Sequence, residues 1–337
     1  MNPVPVGVLA LGTYLPAPRM TAAALAEASG IPERVITEKF GLLQKPMPGP
    51  EDHPCEMGAR AARRALDAAG VDPAEIDCVL SISEEYKERP LMVSGIKIQQ
   101  LIGAKNAWAL DLAQRCCTTI SALRVARGLM RDDPNLKTVL LAGGYRNGDL
   151  IDYKNPRVSF MYTLAAGGGA MLLRRGYDKN LLLESEIITD GDFADDVNVR
   201  AGGTKMPLSE APFAPGDTML DVNDVEAMKA RLAERSHPNF MRVIRRAAER
   251  SGYTPEQVNY LAILHMKRSA HAAVLNELGL GLEQSTYLEH VGHIGQFDPI
   301  LSLELGVSSG RLRPGHLAVL ASAGVSYAWG AMAIRWG

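Results

Sequence analysis

Two adjacent cysteines, Cys116 and Cys117, lie between a strand-like apolar run, Ala107 to Leu112, and a segment whose Ile120, Leu123, Val125, Ala126 and Leu129 recur at helical spacing. The pattern predicts a helix over Thr118 to Met130 with a thiol at its start. Unpaired backbone N–H groups and the positive end of the helix dipole stabilise a thiolate there, so the thiol pKa is expected to fall toward neutrality. Such a placement suits a nucleophile. An isolated cysteine more often packs as a small buried hydrophobe, so its partners must decide between the two readings.

Two of the seven histidines fall where partners could be. His265 ends the apolar run Tyr260 to Leu264, and so emerges at a strand's C-terminal end, where α/β sheets tend to carry their chemistry. His293 stands between Gly292 and Gly295, with Asp298 five residues on, just before the apolar helical stretch Ile300 to Leu305. Asp298 could simply cap that helix. It could also orient an imidazole, as the third member of a nucleophile, base and orienter set. In the carboxy-terminal stretch SAGVSYAWGAMAIRW, Gly324 is expected in a turn between two strands. If that turn abuts Cys116, the N–H groups of Gly324 and Cys116 could form an oxyanion hole. Glu84, Glu85 and Glu88, in SISEEYKERP, could reach the same site, although a charged loop is usually only solvated.

These residues need elements to position them, and an internal repeat supplies the frame. RRALDAAGVDPAEIDCVL, from Arg63, matches RRAAERSGYTPEQVNYLA, from Arg245, without gaps at an offset of 182. Each copy reads as an amphipathic helix, a glycine cap, a Pro-led turn and an apolar strand (Cys78 to Ile82; Tyr260 to Leu264). Lys137 to Gly144 and His316 to Gly324 match at nearly the same spacing. The offset carries Cys116 onto residue 298, so the two candidate loops are expected to face each other. The reading is a duplicated α/β chain with halves 1–175 and 176–337, layered α/β/α/β/α. Phe193 to Asp221 lacks periodicity and reads as a long loop, followed by a helix from about Asn223 to Glu234. Gly167-Gly168-Gly169 reads as a glycine turn into a strand, with close packing between layers; it does not match a dinucleotide-binding loop.

Composition narrows the class. The 337 residues are 47% hydrophobic and 22% charged, and the formal net charge is -2. Aromatics are 6% of the chain and are not interleaved with basic clusters, so nucleic acid is not an expected partner. No apolar run approaches the roughly 18 to 20 residues a membrane span needs, and Met1 to Leu15 carry no positively charged leader, so a cytoplasmic protein without membrane association is expected. Cysteines 55, 78, 116 and 117 form neither a disulfide framework nor a zinc spacing, and reduced thiols with no bound metal are expected.

The order of these segments resembles the ketoacyl-acyl-carrier-protein synthase III branch of the thiolase superfamily over nearly the whole chain. GVLALGTYLP resembles its first strand and turn, GIPERVITEKFGL its early helix, and LDLAQRCC its nucleophile motif, with the cysteine at Cys116. LAILH puts the family's histidine at His265, and GRLRPG and SAGVSYAWG match the closing region. The resemblance implies a thiolase-like five-layer fold, a homodimer, and coenzyme A or phosphopantetheine thioesters as substrates, with no tightly bound cofactor. It also places Lys39 and Arg157 at the substrate. The family usually carries an Asn where this chain has His293 in Gly292-His293-Ile294, and its GDGAGA is here AAGGGA. A His with an Asp five residues later resembles a side branch that passes acyl groups to hydroxyl or amine acceptors. The expectation is therefore acyl transfer through Cys116, with His293 or His265 as base and Asp298 as orienter. Decarboxylative Claisen condensation and a non-catalytic partner subunit are the alternatives.

Overall fold

The computed structural model describes residues 4–325 and 327–337. From the amino end run β1 (Val6–Tyr14), β2 (Arg19–Thr21), α1 (Ala22–Ser29), the single turn α2 (Glu33–Val35), a π-helical turn at Ile36–Phe40, and β3 (Gln44–Pro46). Then come α3 (Pro54–Ala69), β4 (Cys78–Ser81), α4 (Ser94–Ile102), β5 (Trp108–Asp111), α5 (Thr118–Asp132), β6 (Thr138–Tyr145) and β7 (Gly167–Arg175). The rest of the chain forms β8 (Leu181–Thr189), β9 (Val197–Val199), β10 (Leu220–Val222), α6 (Val225–Arg250), β11 (Tyr260–Ile263), α7 (Arg268–Glu277), α8 (Asp298–Ser308), β12 (Leu317–Gly324) and β13 (Ala328–Arg335).

Nine strands join in the order β11-β12-β13-β8-β1-β7-β6-β4-β5. On one side β5, β4 and β6 are parallel, and β6, β7 and β1 antiparallel. On the other, β11 and β12 are parallel, and β12, β13 and β8 antiparallel. The two arms meet through the Gly7 and Leu181 pair of β1 and β8. Helices α5 and α8 each touch strands of both arms, α3 covers β1, β6 and β7, and α6 covers β8, β12 and β13. The molecule is therefore layered α/β/α/β/α, with α5 and α8 in the middle. The first turns of α8 lie between the two arms, which explains the unbroken buried run Asp298 to Leu303, while α5 keeps an exposed edge at Arg124 and Val125.

Local sequence and structure agree at the repeat: α3 ends at Gly70 with φ 63°, and Gly252, with φ 84°, turns the chain just past α6. Three expectations change. The helix expected to end near Glu234 continues through Pro238 to Arg250, so it and the Arg245 copy of the repeat are one helix. The glycines 167–169 lie inside β7, not in a turn. A Cβ on Gly168 would come within 2.5 Å of the Met57 carbonyl oxygen, and one on Gly169 within 2.6 Å of the Phe297 ring, so neighbouring layers approach where β7 lacks side chains. The long 193–221 stretch is pinned at both ends by the β9 and β10 hairpin, and Val197 and Leu220 form part of a cavity wall.

Candidate active site

Cys116 precedes α5 by one residue beyond its cap, Cys117. The preceding Arg115 has φ 51°, a left-handed conformation that costs a non-glycine residue about 1 kcal/mol or more. The Thr118 hydroxyl braces this turn, accepting from the Gln114 N–H at 2.7 Å and donating to the Arg115 carbonyl at 2.6 Å. The Ser322 hydroxyl donates to the Cys116 carbonyl at 2.6 Å from β12. The two thiols then diverge. Cys117 is wholly buried, donating to the carbonyls of Ser322 and Ala328, whereas Cys116 opens onto a cavity of about 260 Å³.

Across that cavity, His293 Nε2 lies 3.2 Å from Cys116 Sγ, and His293 Nδ1 lies 2.5 Å from Asp298 Oδ2. Asp298 is fully buried and also accepts from the backbone N–H of Ile294 at 2.8 Å and of His265 at 2.7 Å. The carboxylate is the first residue of α8, and no side chain caps that helix. The capping reading of Asp298 therefore gives way to one in which the carboxylate gathers two histidine segments. Burial alone would lower the His293 pKa, but the Asp298 carboxylate and the Cys116 sulfur outweigh it and hold it well above its ordinary value.

The expected fall of the Cys116 pKa is reversed. Burial raises it, His293 pulls it back by charge and hydrogen bond, and Glu84 and Asp298 add to the rise. Desolvation in this closed site outweighs the helix start, which acts on a sulfur one residue outside the cap. The Asp298 carboxylate thus makes the neutral His293 ring a strong acceptor for the Cys116 proton.

His265 stands at the same cavity in another state. Burial lowers its pKa to about 4, so it is neutral near pH 7. Its Nε2 lies 3.4 Å from the Gly41 carbonyl oxygen, and its ring packs on Tyr287. Gly324 abuts Cys116, since a Cβ on it would come within 2.9 Å of Cys116 N, and the neighbouring Ala323 and Val325 line the cavity. Lys39 is exposed, next to Phe40 at the cavity wall. Arg157 is not brought to the cavity: its Nε pairs with Asp221 at 3.0 Å, tying the 156–161 turn to β10. Of the three glutamates, Glu84 is buried at the cavity wall, Glu85 pairs with Arg115 at 2.7 Å, and Glu88 accepts from the Cys55 N–H at 2.6 Å.

The carboxy-terminal profile of 3-oxoacyl-acyl-carrier-protein synthase III matches residues 248–336, and the profile named for the synthase III itself matches residues 110–191, together just over half of the chain. The chain belongs to the 3-oxoacyl-acyl-carrier-protein synthase III family. It is 27% identical to the beta-ketoacyl-acyl-carrier-protein synthase III of Thermosynechococcus vestitus, over 97% of each chain. It is 25% identical to the 3-oxopimeloyl-acyl-carrier-protein synthase of Rhodothermus marinus, over 98% of this chain and 93% of that one. The solved synthase III of Pseudomonas aeruginosa superposes with a TM-score of 0.86 at 23% identity, over 98% of both chains, which shows the shared fold. The thiolase-like fold and the family expected from the residues are therefore both found.

Two residues of this synthase III relative were not visible as site residues in the sequence. Asn147 donates to Glu84 Oε2 at 2.7 Å from the turn after β6. Lys45, fully buried, donates to the carbonyls of Tyr162 and Leu164, both at 2.6 Å, and to the Tyr153 hydroxyl at 2.8 Å. The other edge of that segment pairs with the His293 backbone, His293 N–H to the Thr163 carbonyl at 3.0 Å and Ala165 N–H to the His293 carbonyl at 2.9 Å. Lys45 thus braces the strip on which the His293 backbone hangs. A lone lysine in a strand-like QKP carries no sequence signal of that role.

Proposed function

We propose that this protein is an acyltransferase, which takes an acyl group onto Cys116 from an acyl-CoA or acyl-carrier-protein thioester and hands it to a hydroxyl or amine acceptor. The reading rests on one observation, the continuous line from Cys116 Sγ through His293 to Asp298. His293 takes the thiol proton as the sulfur attacks the thioester carbonyl, and Asp298 holds the ring in orientation and stabilises the imidazolium. The oxyanion faces the Cys116 N–H in the turn closed by Gly324. The imidazolium then protonates the departing thiolate.

The second reading is decarboxylative condensation, which the family membership favours. The site argues against it. Where the family's pattern carries an Asn, His293 is engaged with the nucleophile, and so is not free to hold an extender's carbonyl. Supplying malonyl thioester to the acylated enzyme and measuring carbon dioxide tests the choice: the proposal expects release no faster than with C116A, and release coupled to loss of the acyl group would refute it.

Residues 1–175 and 176–337 are read as duplicated halves, each supplying one side of the cavity. The protein is read as a cytoplasmic homodimer. Strand β5 has a single neighbour in the sheet, and Leu91, Val93, Ile96 and Trp108 are exposed beside it.

A further inference from the structure

No proton transfer in the acylation step is assigned to Glu84, yet its carboxylate is 4% exposed in the wall of the acyl cavity. Asn147 anchors one oxygen, and the other, Oε1, lies 4.0 Å from Cys116 Sγ. Arg115 approaches to 3.5 Å, but it is shared with Glu85 at 2.7 Å, so two carboxylates divide one guanidinium. In the free enzyme His293 is held between Cys116 and Asp298, whereas Glu84 Oε1 is held by its anchor at the edge of the space where an acyl group would sit. Burial raises the Glu84 pKa, making the carboxylate a stronger base than one in water.

We propose that Glu84 is the acceptor-side base, and that its charge confines the acceptor to nucleophiles carrying no carboxylate near the reacting atom. The inference rests on the acyltransferase reading and deepens it. In the step, the acceptor's oxygen or nitrogen bonds to the acyl carbon while its proton passes to Glu84 Oε1. The carbon–sulfur bond breaks, and Glu84 returns that proton to the Cys116 sulfur, leaving product and free thiol. His293 serves loading and Glu84 serves discharge. An incoming carboxylate meets a like charge in a poorly hydrated cavity, whereas an amine or neutral alcohol does not.

The test separates the two half-reactions. Wild type, E84Q, E84D and E85Q are loaded with octanoyl-CoA and freed of donor. Loss of the acyl mass is then followed by intact-protein mass spectrometry in buffer, in ethanolamine and in glycolate, two primary alcohols of similar size and opposite charge. The proposal expects E84Q to load within threefold of wild type but to discharge at least 30-fold more slowly. The ethanolamine to glycolate rate ratio should exceed ten in wild type, fall near one in E84Q and be largely kept in E84D, with E85Q, which leaves Arg115 to Glu84 alone, lying between wild type and E84Q. Discharge by E84Q at the wild-type rate and ratio overturns the inference while leaving acyl transfer standing. So does equal slowing of loading and discharge, because Glu84 would then only support the fold. Failure of wild type to load overturns the acyltransferase reading, and this inference with it.

Discussion

At the residue scale, the Asp298 carboxylate decides how basic His293 is, and the sign of its removal can be worked out. The carboxylate stabilises the imidazolium, so D298N lowers the His293 pKa, and the acidic limb of the Cys116 loading profile should move to lower pH. The maximal rate should fall by 10²-fold or more as the ring loses its orientation, and single-turnover loading across pH checks both. An unmoved limb would mean that another group sets the profile. His271 offers a stability counterpart. Burial lowers its pKa to about 4, with neighbouring His265 and Arg268 adding to the effect. A histidine depressed in the fold costs nothing above its unfolded pKa of about 6.5, then loses stability as pH falls toward 4, because only the unfolded chain takes the proton. H271F should therefore flatten the loss of urea stability between pH 6.5 and 4 by roughly 3 kcal/mol, the worth of that fall in pKa. Cys116, His265 and His293 stood out in the sequence because Cys and His are scarce in it, and Asp298 because it lies five residues after His293 at the start of an apolar run. Glu84 was legible only as a loop charge, and Lys45 and Asn147 not at all, since contacts across a folded cavity leave no trace in spacing.

At the element scale, the site is held by pieces of backbone that belong to no long helix or strand. Lys45 links β3 to the strip 162–165, which pairs with the His293 backbone. K45M leaves two buried carbonyls unpaired, at about 1–3 kcal/mol each. It should lower thermal stability, speed amide exchange at Ala165 and His293, and slow Cys116 loading at least tenfold. Normal loading with the same loss of stability would confine Lys45 to the fold. Arg157, expected at the substrate, instead clamps the turn bearing Phe160 and Met161 to the hairpin bearing Val197 and Leu220. D221N should loosen both walls and shift the preferred acyl length upward, as measured by loading rates across a series of acyl-CoA donors. The repeat was legible because its glycine caps and apolar strands carry local signals. The full length of α6 was not, because Pro238 reads as a stop and only the sheet beneath keeps the helix continuous.

At the scale of the whole molecule, two sheet arms enclose α5 and α8, and Cys116 and His293 face each other because these two helices start side by side. That arrangement makes the proposed landing place of the acyl group a property of the layered fold. The exposed β5 edge, with Trp108 45% and Ile96 54% exposed, is the surface through which two copies are proposed to join. W108D with I96D should convert a dimer to a monomer by light scattering; a wild type that is already monomeric would contradict the homodimer. The central claim is that Cys116 carries the acyl group, and intact-protein mass spectrometry after incubation with an acyl-CoA tests it most directly. The account predicts a single acyl mass on wild type, mapped to Cys116 and absent from C116A. No adduct on wild type, or an adduct that persists in C116A, would contradict it.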